Sequence, residues 1–212
     1  DACVYPLFVP ANLFAVLSLR QLAQMSRSIH QDTSFAAECE ALANEVEQAV
    51  QRDGRMRDAQ GRDYWAYEID GFGNQLFMDD ANVPSLLGLP YLGCCHLDDP
   101  TYQRTRELVW SSLNPYFFKG RAAEGIGGPH EGPRMIWPMS IMMYAQTTHD
   151  PAHIRQCLTW LRDTDAGTGF MHESFDQDDP THFTRSWFAW ANTLFGELII
   201  DIHREHPELL RA

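Results

Sequence analysis

Apolar positions recur along this chain in two ways. Residues 34–52 carry a helical stripe of Phe35, Cys39, Leu42, Val46 and Val50, with Glu38, Glu40, Glu45, Glu47 and Gln51 on the other face and Gly54 as a stop. Such a helix has one wet side. Residues 11–29 instead spread Leu13, Phe14, Val16, Leu17, Leu22, Met25 and Ile29 around much of the circumference, the pattern of an enclosed helix. The two kinds alternate. Residues 83–93, 135–147 and 186–202 are apolar nearly all round. Residues 100–113 (Tyr102, Leu108, Val109 and Leu113 inward) and 151–162 (Ile154, Leu158 and Leu161 inward) are amphipathic. Asp99-Pro100 and Asp150-Pro151 read as cap and first-turn pairs that start two of the amphipathic helices.

This order of about seven helices predicts two concentric layers of antiparallel helices, an all-α toroid, with an irregular helical bundle as the alternative. Inner-to-outer links are short (around 30–33, 94–99 and 148–150), whereas outer-to-inner links are long (53–82, 114–134 and 163–185). In such a ring the long links share one face, at the N-termini of the inner helices. Free N–H groups and positive potential there favour carboxylates and electron-rich ligands. Within the first long link, residues 55–68 are expected to form a small β-hairpin turning at Gln60-Gly61.

The long links hold the candidate chemistry. One contains Tyr64, Trp65, Tyr67 and Glu68, then Asp79, Asp80 and Asn82; the next runs Gly125-Ile-Gly-Gly-Pro-His130; the last runs Gly167-Thr-Gly-Phe-Met-His172-Glu173-Ser-Phe and reaches Arg185. The segment before the first inner helix adds Asp1 and Tyr5. Acids, amides, histidines, an arginine and aromatics suit a neutral polyol, because carboxylates and amides bind hydroxyls and aromatic faces cover sugar rings. Gly125 to Gly128 lack the Lys-Ser/Thr of a phosphate loop, and turn geometry accounts for these glycines better. Structural readings stand beside the functional ones. Asp79 would serve as a cap for residues 83–93, His130 as a turn residue, and His172-Glu173 as a buried polar pair. Arg185 would serve only as a brace for a carboxylate, and Asp98-Asp99 and Asp178-Asp179 as caps or solvated turns. A mixed metal site from Asp79, Asp80, His130 and His172 finds no supporting spacing, so neither metal nor cofactor is expected.

Charge and cysteine content narrow the class. A net charge of −13 disfavours nucleic acid and anionic membranes as partners. No apolar run is long enough to span a bilayer. Five scattered cysteines, an odd number, are not a disulfide framework and read as reduced, mostly buried thiols, which favours a cytoplasmic protein. The chain opens at Asp1 without an initiator Met and reads as part of a longer polypeptide, which leaves an upstream signal peptide open.

Together, Glu68-Ile-Asp-Gly-Phe-Gly-Asn-Gln-Leu-Phe-Met-Asp-Asp-Ala-Asn-Val-Pro-Ser-Leu-Leu, Gly125-Ile-Gly-Gly-Pro-His, Trp137-Pro-Met-Ser, Gly167-Thr-Gly-Phe-Met-His-Glu-Ser-Phe and Phe183-Thr-Arg-Ser-Trp-Phe-Ala-Trp-Ala-Asn resemble glycoside hydrolase family 125, over essentially the whole chain. The resemblance implies an (α/α)6 barrel and a metal-independent, inverting exo-α-1,6-mannosidase that removes terminal mannose from mannosides and N-glycan-type oligosaccharides. Inversion takes two carboxyl groups, ~6.5–9.5 Å apart, one protonating the leaving oxygen and one activating water. Glu173 matches the general base. The general acid belongs to an Asp-Asp-Ala-Cys motif that this chain enters at its second Asp, so the acid is Asp1 or the residue before it. Asp79, Asp80, Asn82, His130, His172 and Arg185 are the implied hydroxyl-binding residues. The chain then corresponds to the C-terminal part of a single catalytic domain, partnered by N-terminal helices of the same domain. Alone it is expected to be inactive, with inner-helix faces exposed. Another α/α-toroid carbohydrate enzyme, a lyase or epimerase, and a non-catalytic sugar-binding domain remain as alternatives.

Overall fold

Helix starts divide the molecule the way the hydropathy pattern does. The computed structural model describes residues 3–211, which form two compact units: residues up to 78 with 84–107, and 79–83 with 108 onward. Among the described residues, helices α2 (Thr33–Asp53) and α5 (Pro151–Asp163) are capped by Asp32 and Asp150, whose carboxylates accept the N–H groups of Phe35 and Ala152. By contrast, α1 (Val9–Met25), α4 (Pro138–Gln146) and α6 (Ala189–Glu205) begin at Phe8, Trp137 and Phe188 without a side-chain cap. The sequence's outer helices are self-capped and its inner ones are not.

In the first unit, α1 follows strand β1 (Leu7–Phe8) directly and ends in a π-helical turn, Ser26–His30. Helices α1 and α2 pack through small side chains, with Ala23, Ala36 and Ala43 completely buried and Cys39 nearly so. That contact turns the buried stripe of α2 onto Ala36, Cys39, Ala43 and Val50. Phe35 and Leu42, expected inside, are 44% and 48% exposed. Nor is α1 enclosed: Leu13 and Val16 are buried, but Phe14, Leu22, Met25 and the following Ile29 lie between 37% and 66% exposed.

The expected hairpin is present as β2 (Arg55–Arg57) and β3 (Asp63–Trp65), with Gly61 at φ 78° in its turn. Beyond it, β4 (Glu68–Ile69) pairs antiparallel with β1 on one side and β5 (Gln75–Leu76) on the other. Residues 83–93, expected as a helix, form irregular turns instead. Leu92 N–H bonds to Gly88 O, but Cys94 N–H reaches back to Leu89 O. Pro90, in the interior of the expected helix, lacks a donor, and its ring would clash with the carbonyl four residues earlier. The described residues therefore hold six α-helices rather than seven. Helix α3 (Pro100–Val109) starts in this unit, capped by Asp99 through the Tyr102 N–H at 2.8 Å, and ends in the other. Leu113, expected inward, lies past its end and is 64% exposed.

The second unit is built around α4, in which Met139 to Met143 are all buried. Helix α5 lays Ile154, Cys157 and Leu161 inward, and α6 buries Ala191, Leu194, Leu198 and Ile202. Trp190 and Ile200 are about half exposed, so α6 is less enclosed than its composition suggests. Strands β6 (Phe117–Lys119) and β7 (Glu124–Ile126) make a hairpin. Strand β9 (Ser174–Asp176) sits between β8 (Met135–Ile136) and β10 (Phe183–Thr184), antiparallel to both. β8 leads through Trp137 into α4, and β10 leads shortly into α6. The links ahead of α4 and α6 are thus pinned by strands that the sequence did not predict. At two or three residues each they are too short for alternation to register. No helix among the described residues is long and apolar enough to cross a membrane.

Candidate active site

The implied catalytic and hydroxyl-binding residues, except Asp1, which lies outside the described residues, all belong to the second unit. Glu173 immediately precedes β9 and is 6% exposed. Its N–H bonds to Thr184 O at 3.2 Å, and the Ser174 and Thr184 hydroxyls meet at 2.7 Å across the β9–β10 pair. Arg185 approaches the Glu173 carboxylate with Nε 3.1 Å from Oε2. Its backbone is left-handed at φ 48°, unusual for a residue with a Cβ, and such strain concentrates at functional positions. The guanidinium also lies over the Phe188 ring at 5.5 Å. The bracing role is therefore present, and with its side chain 63% exposed Arg185 still has donors toward solvent.

His172 departs from the expectation of a hydroxyl ligand. It is 1% exposed and stacks on Phe183 with ring centroids 3.9 Å apart and planes at 3°. Nδ1 lies 3.1 Å from Ser186 O and Nε2 3.2 Å from Asp165 O. Both ring nitrogens face backbone carbonyls and one ring face is covered, an environment that fits the buried polar pair. His172 ties the beginning and end of the 165–186 link together around Glu173. Gly167 and Gly169, at φ 74° and 73°, let the chain double back in front of it.

Sequence reasoning assigned no role to Asn192. Its Oδ1 accepts the Met171 N–H at 3.0 Å, and its Nδ2 donates to Met171 O and Phe188 O, both at 2.8 Å. One amide from α6 thus reads both backbone groups of the residue two before Glu173. An Asn on a largely apolar helix was the available signal. Arg134 was also missed. It makes a two-pronged ion pair with Asp176, 2.9 Å at each prong, and reaches Asp178 at 3.1 Å. This hydrogen-bonded pair holds the Asp176 carboxyl below its ordinary range. The capping role foreseen for Asp99 holds, while Asp178 is chiefly a partner of Arg134 and of the Arg121 N–H.

Asp79 and Asp80 form the second group, at 0% and 6% exposure. Asp79 caps no helix, since none follows; its N–H bonds to the Asn114 side chain at 3.1 Å. Asp80 Oδ1 accepts both the backbone N–H of Asn82 at 2.8 Å and its Nδ2 at 2.7 Å, so Asn82 orients Asp80. Burial pushes the Asp80 carboxyl above its ordinary range, partly offset by these bonds and by nearby His130. A Cβ on Gly128 would stand 3.2 Å and 3.3 Å from the two Asp80 oxygens. The glycines at 125, 127 and 128 are thus explained by close approach, not by turns. None has positive φ; Gly125 lies in β7, and a Cβ on Gly127 would strike the Met135 carbonyl oxygen. His130 is exposed and meets the edge of Trp137 at 5.1 Å, and Trp137 meets Phe188 at 6.0 Å. An aromatic path therefore joins His130 near Asp80 to Arg185 on Glu173.

No three His, Cys, Asp or Glu side chains among the described residues are grouped to hold a metal. Cys39 and Cys157 are buried, Cys94 and Cys95 half-buried and Cys3 exposed, fewer buried than expected. Burial pushes the Cys94 and Cys95 thiols up to about 11 and about 12, which leaves them poor nucleophiles.

A nearly buried carboxylate paired with an arginine, a second acidic pair and adjoining aromatics thus lie in the second unit. Residues 1–200 match the family described as metal-independent alpha-mannosidase (GH125), and the chain belongs to that family. It is 46% identical to the meiotically up-regulated gene 157 protein of Schizosaccharomyces pombe over 213 aligned positions, covering 100% of this chain and 42% of that protein. A solved structure of a metal-independent alpha mannosidase from Streptococcus pneumoniae, a non-productive substrate complex with alpha-1,6-mannobiose, superposes with a TM-score of 0.91 at 42% identity. That superposition covers 95% of this chain and 48% of the bacterial one. The chain thus spans about half the length of the relatives it matches.

Proposed function

We propose that this chain carries the water-activating base of an inverting exo-α-1,6-mannosidase, with Glu173 as that base. The observation behind the assignment is the environment of Glu173: a nearly buried carboxylate held by Arg185, on a backbone fixed from both sides by Thr184 and Asn192. A general base must be placed to within a fraction of an ångström of its water, and this segment has the fastening for it. The family resemblance supplies the acid, Asp1 or the residue before it. Asp79, Asp80, Asn82, His130 and the outward donors of Arg185 are assigned to the hydroxyls of the terminal mannose. His172 is assigned to support. The ligand is a mannose-containing oligosaccharide, as the alpha-1,6-mannobiose of the bacterial relative suggests.

In this reading the chain is the C-terminal part of one (α/α)6 catalytic domain. The exposed apolar side chains of α1, Phe14, Leu22 and Met25, offer a face that further chain of the same domain would cover, and the relatives are about twice as long. The test uses the full-length polypeptide. Glu173→Gln should abolish release of mannose from α-1,6-mannobiose while mannoside binding persists, and NMR of the first product from wild type should show β-mannose. Near-normal turnover by the variant would reject Glu173 as base. An α-anomer would reject inversion, and an ultraviolet-absorbing unsaturated product would point to a lyase.

A further inference from the structure

Glu68 is a buried carboxylate outside the Glu173 region. It is 4% exposed, yet no arginine or lysine pairs with it among the described residues; its partners are backbone. Oε2 accepts two successive N–H groups, Val4 at 2.8 Å and Tyr5 at 2.9 Å. Immediately beyond, Phe8 and Leu7 of β1 pair with Glu68 and Ile69 of β4, and Val9 N–H bonds to Tyr67 O at 2.9 Å. The Phe8 and Tyr67 rings pack at 4.8 Å. Residues 4–9 are therefore fastened to residues 67–69 along their whole length, and at the leading end the fastener is the Glu68 carboxylate. Val4 is 69% exposed and Cys3 is exposed too, so side-chain burial does not anchor that end. Bonds from N–H to an ionised carboxylate are roughly twice as strong as neutral ones, and one oxygen serving adjacent amides fixes direction as well as position.

We infer that Glu68 is a positioning residue for the general acid: it sets the backbone at Val4 and Tyr5, three to four residues after Asp1. This rests on the assignment of the acid to Asp1 or its predecessor. Glu68 touches no substrate in this account. Its effect passes through the chain it holds, so it should matter only as far as the leaving oxygen needs a proton.

That dependence supplies the test. Full-length wild type, Glu68→Ala and Glu68→Gln are assayed on α-1,6-mannobiose, whose leaving group needs protonation, and on 2,4-dinitrophenyl α-mannoside, whose leaving group does not. Misplacing a general acid costs on the order of 100-fold or more. Glu68→Ala should lose about that much in kcat on the disaccharide, with KM within about threefold of wild type and only a few-fold loss on the aryl mannoside. Glu68→Gln, which keeps one acceptor oxygen, should recover part of the loss. Equal losses on both substrates, or no loss on either, would overturn the positioning role; the Gln variant carries the same comparison should the Ala variant fail to fold. Wild type inactive on both substrates would reject the mannosidase assignment itself.

Discussion

Asn192→Asp is nearly isosteric and separates donor from acceptor at the clamp behind Glu173. The acceptor bond from Met171 N–H survives. Both donated bonds, to Met171 O and Phe188 O at 2.8 Å, are lost, and a negative charge faces two carbonyl oxygens. Those oxygens keep one partner each, Phe188 N–H at 3.3 Å and Asn192 N–H at 3.0 Å, so neither is stripped completely. Two net bonds at about 1 kcal/mol each, plus repulsion, come to about 2–4 kcal/mol. For a chain of this size that lowers Tm by roughly 5–10 °C. The introduced carboxyl has a folded pKa raised above its unfolded value near ~3.9, because its charged form is the one repelled. The neutral form is favoured by the fold, so the deficit is small below that value and grows as pH rises through the folded pKa. Calorimetric melts of wild type and variant from pH 4.5 to 7 measure this. An unchanged Tm at pH 7, or a deficit that does not vary with pH, would refute the clamp.

Other outcomes follow from the same geometry. Gly127→Ala should lower stability by about 1–3 kcal/mol, as overpacking against the fixed Met135 carbonyl does, and a melt equal to wild type would contradict that close approach. Asp80→Asn keeps the acceptor for Asn82 and removes a carboxyl whose pKa burial has raised; stability it withholds at neutral pH returns, so Tm at pH 7 should hold or rise while mannoside affinity falls in calorimetric titration. Arg134→Gln acts with the opposite sign. The Asp176 carboxyl is depressed, so its stabilisation is present above the unfolded value near ~3.9 and lost as pH falls through the folded one. Variant and wild type should therefore melt apart at pH 7 and converge on acidification. Parallel curves would argue against the pair.

The helices were largely legible because burial imprints a period on long elements. Residues 151–162 and 34–52 anticipate α5 and α2 closely, as do the Asp99 and Asp150 caps. Residues 83–93 misled because apolar content resembles a helix whether or not an interior proline permits one, and Pro90 does not. The stripe of α2 misled for a subtler reason. Large residues were taken as the buried ones, whereas the α1–α2 contact is made by alanines. Around Glu173 the sequence offered candidate residues but not how they are held. Asn192 and Arg134 act through backbone and ion-pair geometry at separations of 21 and 42 residues, which no local pattern encodes.

The placement of β9 has a kinetic consequence. A central strand, bonded on both sides to segments that run into α4 and α6, opens only when its neighbours separate, so its amides should be among the last of the loops to exchange with solvent. A segment fastened in this way is not a lid. In the proposed reading Glu173, at its leading edge, is in place before a sugar arrives, and any gating of substrate entry and product exit falls to other segments.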